Sequence, residues 1–214
     1  MGNHFHASSK PADFSFASRA AKYDEGFEGK ASRRFYNLLL REVALSPGMS
    51  VLDVGCGTGA LLARLCAGCD IDAHGIDMEQ NMIDVAKNKH PLMDFSLSRC
   101  NETPFADKSF DVIVACMAYH HFDNKEGFAK EATRLLKDGG ILYIADPRFP
   151  QPLRKTINAI LRHVHTVGEF NTPDEIATKF SAFGFSLLGV ATHGYAQLVK
   201  LSRLADACAA DNRR

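Results

Sequence analysis

The chain has no excess of charge of either sign: its 214 residues carry 25 Lys and Arg against 25 Asp and Glu. Such a balance sets up no global field to recruit nucleic acid or an anionic membrane, although a local basic cluster is compatible with it. No apolar run approaches the roughly 20 residues of a membrane span. The opening Met1-Gly2-Asn3-His4-Phe5-His6 lacks the apolar stretch of a secretory leader, and His6 stands where a myristoylation signal wants Ser or Thr. Paired cysteines are also missing. The six cysteines, at 56, 66, 69, 100, 116 and 208, lie mostly in apolar contexts and read as reduced thiols of a cytoplasmic protein. Cys66-x-x-Cys69 has no second ligand pair, so it reads as packing, and no metal site is expected.

What remains is ordinary globular material, 46% hydrophobic and 23% charged, enough for one α/β domain with a small appendage. Residues 1–14 are polar and mixed. Over 16–45 apolar residues recur at broken helical spacing until Ser46-Pro47-Gly48, so 1–45 reads as a tail and lid helices. Strands at 50–54, 71–77, 93–98, 110–116 and 141–145 then alternate with helices at 59–66, 79–89 and 125–136, the fifth strand entered through Asp138-Gly139-Gly140. Strands and helices in that alternation imply βαβ units and a parallel sheet, a doubly wound, Rossmann-like α/β domain over 46–202. The prolines at 147, 150 and 152 open a helical cap of about 147–172, amphipathic over 153–167. Thr172 is a good N-cap with Pro173 behind it, and 185–190 and 196–201 are closing strands joined around His193-Gly194. Residues 203–214 read as a C-terminal tail.

Val51-Leu52-Asp53-Val54-Gly55-Cys56-Gly57-Thr58-Gly59 is the most informative stretch. A strand runs into three alternate glycines and a helix follows, which allows a sharp turn, close backbone approach by a ligand and free N–H donors. Gly75-Ile76-Asp77 ends the next strand with a carboxylate able to accept both hydroxyls of a ribose. Gly55 to Ala60 also fits the dinucleotide pattern G-x-G-x-x-A. Asp53 counts against that reading, because two residues before the bend it would repel a pyrophosphate yet attract a cationic amino-acid moiety. S-adenosyl-L-methionine, with its sulfonium and ammonium, suits such a carboxylate.

These motifs, with Pro104-Phe105, Ser109-Phe110-Asp111 and Leu135-Leu136-Lys137-Asp138-Gly139-Gly140, resemble the class I S-adenosylmethionine-dependent methyltransferases. The nearest subgroup holds the quinone-biosynthesis C-methyltransferases and their small-molecule relatives. The resemblance covers 49–145, and Phe16 to Asp24 is weakly similar to the family's F-x-x-x-A-x-x-Y-D pattern. It implies a seven-stranded sheet whose last strand is antiparallel, with S-adenosyl-L-methionine as cofactor. Gly55, Cys56 and Gly57 would pass its methionine part, with Asp53 near the amino group. Asp77 would hold the ribose, Met78 and Met117 would pack on the ligand, and Tyr23 would close over it. The family's adenine-contacting acid is replaced by Arg99, which cannot accept a hydrogen bond, so Cys100 or Asn101 would serve instead.

Methyl transfer is an in-line displacement, so the protein must align the nucleophile and, where needed, take its proton. The candidates follow the fourth and fifth strands: His120 and His121 as general bases, and Asp146. Each has a plain alternative, since His-His in the resembling proteins is often structural and Asp146 also reads as a helix or loop cap. Arg148, Arg154, Lys155, Arg162, His163 and His165 make the cap basic, suited to an anionic group on the small-molecule substrate or simply to a solvated helix face. Two other functions stay in view. A nucleic-acid methyltransferase is disfavoured by Cys116-Met117-Ala118-Tyr119 after the fourth strand, where Asn/Asp-Pro-Pro-aromatic is usual, and by the balanced charge. A protein that binds the cofactor without turnover is the other. Substrate, acceptor atom and oligomeric state are not legible.

Overall fold

The computed structural model describes residues 24–163 and 168–205, without the side chains of Phe27, Glu28, Arg162 and His163. Tyr23, the F-x-x-x-A-x-x-Y part of the N-terminal pattern, His165 and residues 206–214 lie outside the described residues.

Strand β1 (Ser50–Val54) carries Val51, Leu52 and Val54, all buried. Such a run suits a strand covered on both faces, and β1 is central: it pairs in parallel with β2 (Asp72–Asp77) on one side and β4 (Phe110–Cys116) on the other. With β3 (Asp94–Leu97), β5 (Leu136–Pro147), β6 (Phe185–His193) and β7 (Ala196–Arg203), they form one seven-stranded sheet ordered β3-β2-β1-β4-β5-β7-β6. The chain builds β1, β2 and β3 outward in one direction, then returns to lay β4 on the other side of β1. That reversal leaves a crevice at the carboxyl ends of β1 and β4, where ligands bind in open α/β sheets.

Helices α1 (Phe27–Glu42), α2 (Ala60–Gly68) and α3 (Gln80–Lys89) share one core with the sheet, in which Phe35, Leu39, Leu62, Ile83, Val51, Val114 and Tyr143 meet. Helices α4 (Lys125–Leu135) and α6 (Pro173–Ser181) contribute to the opposite core through Phe128, Ala132, Ile176 and Phe180 against Leu52, Ile113 and Ile144. Helix α5 (Gln151–His163) stands beyond β5.

Several elements depart from the sequence-based expectation, β6 among them, which runs on from the expected 190 to His193. Strand β5 begins at Leu136 rather than 141, because Leu136 pairs with Phe110 and Ile141 with Val112, so 137–140 bulge out between two ladder positions. Gly139, at φ +76°, turns that bulge, and Lys137 Nζ donates to Asp111 at 2.7 Å. Strand β7 runs on to Arg203, whose guanidinium is buried against Asp138, so the tail starts later than position 203. Helix α5 starts at Gln151, two residues before the 153–167 pattern, and is described as far as His163. Strand β7 is antiparallel to both β5 and β6 and lies between them.

Helix α6 opens with a capping box. Thr172 Oγ1 accepts from Glu175 N at 3.2 Å, and Glu175 Oε2 accepts from Thr172 N at 2.8 Å. Thr172→Ala should therefore lower the unfolding free energy by about 1 kcal/mol, read as a lower urea midpoint at unchanged slope.

Candidate active site

Val54 ends β1, and the next two backbone amides, of Gly55 and Cys56, both donate to Ile76 O, at 2.8 and 2.9 Å. The bend is thereby tied to the end of β2. Gly55, Gly57 and Gly59 all have positive φ, +76°, +54° and +77°. A Cβ on Gly55 would sit 2.6 Å from Ala118 Cβ, and one on Gly59 would sit 2.7 Å from the Phe95 ring. One on Gly57 would meet nothing within 4 Å among the described residues.

Asp77 closes the bend from the neighbouring strand. Its Oδ2 accepts from Gly57 N at 2.9 Å and its Oδ1 from Glu79 N at 2.9 Å. Burial raises its pKa from the ordinary carboxylate value more than those N–H groups lower it. Asp53 lies beneath, 1% exposed, and its Oδ2 makes no hydrogen bond among the described residues. Burial first, and the charge of Asp77 second, push its carboxyl up to about 8. A buried carboxyl oxygen without a partner is uncommon, since such a group loses its hydration without compensation.

Asp24 enters the same locality from before α1. Its Oδ1 accepts from Thr58 Oγ1 at 2.7 Å and its Oδ2 from Lys89 Nζ at 2.6 Å. Asp24 thus fastens the start of the described chain to the glycine bend. The sequence offered one signal for it, the last position of the pattern from Phe16 to Asp24.

Met78 follows Asp77 and is 61% exposed, and Cys100 is half-buried against the core beside Phe105 and Phe122. Burial, then Asp123, pushes the Cys100 thiol up to about 11. Asn101 lies against Gly127, its Cβ 2.8 Å from where a Gly127 Cβ would be. The Arg99 side chain turns to solvent, 4.0 Å from Asp123.

A second group stands at the ends of β4 and β5, joined to the first through the Ala118–Gly55 contact. Met117, at φ +57°, donates its N–H to Ala145 O at 2.8 Å and turns the chain into a single helical turn, Tyr119–His121. That turn carries His120 to Asp146: Nδ1 lies 2.9 Å from Oδ1, with the residues 5% and 3% exposed. The His121 ring is 4.0 Å from that of His120. Phe170 stacks on the His120 ring at 4.9 Å and 22°. Phe170 carried no signal in the sequence.

The basic cap needs one correction as an anion site. Arg154 is buried and already engaged, its guanidinium forked onto Glu175 at 2.6 and 2.9 Å, so it is not available to a ligand. Arg148 and Lys155 are exposed.

Residues 52–144 match a family described as a methyltransferase domain. A demethylmenaquinone methyltransferase of Chlorobaculum parvum is 31% identical over 136 residues, which is 64% of this chain and 54% of that protein. Phosphoethanolamine N-methyltransferase 3 of Arabidopsis thaliana is 30% identical over 139 residues, 61% of this chain and 28% of that protein. The chain therefore spans about half the length of the first relative and less of the second. Among solved structures, a chain of the complex between the Haloferax volcanii Trm112 methyltransferase activator and a methyltransferase superposes with a TM-score of 0.78. The match is 17% identical over 89% of this chain and 98% of that one, a likeness of fold. Residues 52–144, set in this seven-stranded sheet, thus match a methyltransferase domain, and the chain resembles the class I S-adenosylmethionine-dependent methyltransferases, those of quinone biosynthesis among them.

Proposed function

We propose that the chain binds S-adenosyl-L-methionine at the glycine bend and methylates a small organic molecule, at O, N or C, beside His120 and Asp146. The observation that carries the reading is the unpartnered, buried Asp53 oxygen under an open bend that Asp77 closes. A lone ammonium is the group such an oxygen fits, and the adjacent N–H donors and open Gly57 give it room. Gly55, Cys56 and Gly57 would pass the methionine part, Asp77 the ribose and Met78 the adenine. Cys100, Asn101, Met117 and Tyr23 complete the proposed wall. Bound there, the cofactor supplies a methyl group already activated by the sulfonium.

The chain's own residues then have two tasks. Asp146 takes the Nδ1–H of His120, which fixes the tautomer and leaves Nε2 to accept a proton from an acceptor O–H or N–H. Proton and charge then stay on a ring that Asp146 stabilises. His121 is the second candidate, its half-buried ring lying 4.0 Å from that of His120. A positioned base favours turnover over binding alone. We assign the chain to the cytoplasm on its reduced-cysteine pattern; among the described residues no helix is long and apolar enough to cross a membrane. The relatives are named for a quinone precursor and for phosphoethanolamine, which supports a small-molecule acceptor. Nucleic acid is disfavoured by the balanced charge.

Asp53 generates a pH dependence with a definite sign. Its folded pKa, about 8, stands above the ordinary 3.8. To meet a cation it must lose a proton, so binding releases one and tightens as pH rises toward 8. The gain is up to about tenfold per unit, until the ligand's α-amino group loses its own charge near 8. Calorimetry in buffers of different ionisation enthalpy reads that proton, and Asp53→Asn should abolish both it and the acid-side rise. The stability Asp53 contributes to the ligand-free protein is present below pH 3.8 and lost as pH rises toward about 8. Asp53→Asn should therefore raise Tm of the ligand-free protein at neutral pH.

Adenosylhomocysteine formation from a panel of phenols, quinols, amines and carboxylates tests turnover. His120→Ala should lower kcat by roughly 10²–10⁴-fold with cofactor affinity unchanged. An unchanged rate would remove His120 as base, and cofactor binding with no product from any acceptor would favour the binding-only reading.

A further inference from the structure

Helix α5 packs inward with polar groups. Arg154 and Asn158, one turn apart, are its buried residues, each 6% exposed, while Leu153 and Ile160 face out at 49% and 56%. Burying a carboxamide is costly unless its donor and acceptor are both used. Here they are used on one residue. Asn158 Oδ1 accepts from Phe170 N at 3.0 Å, and Asn158 Nδ2 donates to Phe170 O at 3.0 Å. The side chain takes the place of a neighbouring strand for a single residue. Arg154 Nη1 donates to the same Phe170 O at 3.2 Å.

The residues on either side are fastened too. Glu169 N donates to His120 O at 2.8 Å, and Gln197 Nε2 donates to Asn171 O at 2.7 Å. Residues 169–172 thus form a fixed plate whose one aromatic ring, Phe170, lies nearly flat on His120 and is backed by Phe149 at 5.0 Å and 77°. A single hydrogen bond from Nδ1 to Asp146 fixes one atom of the imidazole and leaves the ring free to rock about that contact. A stacked face fixes the plane. The two together aim Nε2.

We propose that Asn158 is a positioning residue for methyl transfer, holding Phe170 against His120 so that the imidazole keeps one orientation beside Asp146. The functional part rests on His120 acting as the base; the structural part does not. Misaiming a reacting group by about 1 Å can cost roughly 10²-fold in rate, so a residue that touches no reactant can control turnover.

The test has a readout that needs no acceptor. In ¹⁵N-histidine-labelled protein, the His120 Nδ1–H, shielded by Phe170 and bonded to a buried carboxylate, should give a slowly exchanging downfield proton, assigned by its loss in His120→Ala. Asn158→Leu should broaden it or exchange it away, while calorimetry shows S-adenosylmethionine affinity within about twofold of wild type. Phe170→Leu, which keeps the backbone clamp but removes the stacked ring, should do the same and serves if Asn158→Leu does not fold. With an acceptor from the panel, both variants should lose about 10–100-fold in kcat and lose nothing further in the His120→Ala background. A protected proton unaltered in both folded variants, no such proton in the wild type, or a loss that adds fully to that of His120→Ala would overturn the proposal. A fully active His120→Ala with a proton sensitive to Asn158 would instead sink only the base assignment.

Discussion

A carboxyl group buried at the end of the central strand, with one oxygen unsatisfied, is the constraint around which the rest of this structure is arranged. Asp53 occupies the one strand that has neighbours on both sides before and after the chain reverses, so it is dry by construction. Leu52 and Val54 on either side are buried in opposite directions from it and offset its desolvation through their own burial. Kept uncharged, the group is tolerated; charged, it demands a cation. The glycine bend above it and Asp77 beside it make the approach to that oxygen polar and backbone-lined.

The site has two halves with different mechanical character. The bend half is main chain: two amides on Ile76 O, a third on Asp77, and glycines whose absent side chains admit Ala118 and Phe95. The His120 half is side chain, a histidine bonded to one carboxylate and stacked on one ring. The Ala118 contact joins them, which fixes the distance between the ligand bend and the His120–Asp146 pair through packing alone. Asp24 belongs to the first half. By holding Thr58 and Lys89 together it gives the approach to α1 a definite anchor beside the glycine bend.

How much of this was legible follows from the range of each interaction. Strands 50–54 and 110–116 stand where the apolar runs put them, because central parallel strands announce themselves by unbroken hydrophobicity. The glycine bend and Asp77 were legible for the same local reason: positive φ selects glycine, and the carboxylate ends its own strand. Strand β5 was read too short because Asp138-Gly139-Gly140 looks like a connection, yet Leu136 before it re-enters the ladder opposite Phe110. His120 and Asp146 were each visible singly, but nothing local says that residues 26 positions apart meet at 2.9 Å. Arg154 misled more deeply. In sequence it is one more cation on an amphipathic helix; in space it is a buried fork on Glu175, and its partner Asn158 gave no signal at all.

Strand β7 completes the sheet from within. It separates β5 from β6, and among the described residues β6 has no hydrogen-bonded neighbour other than β7. During synthesis the ribosome therefore delivers β6 before there is any edge for it to join, and the exposed flank of β5 must wait beside it. Both stay open to mispairing until the last of the seven strands emerges and slots between them, so the sheet is zipped from its middle.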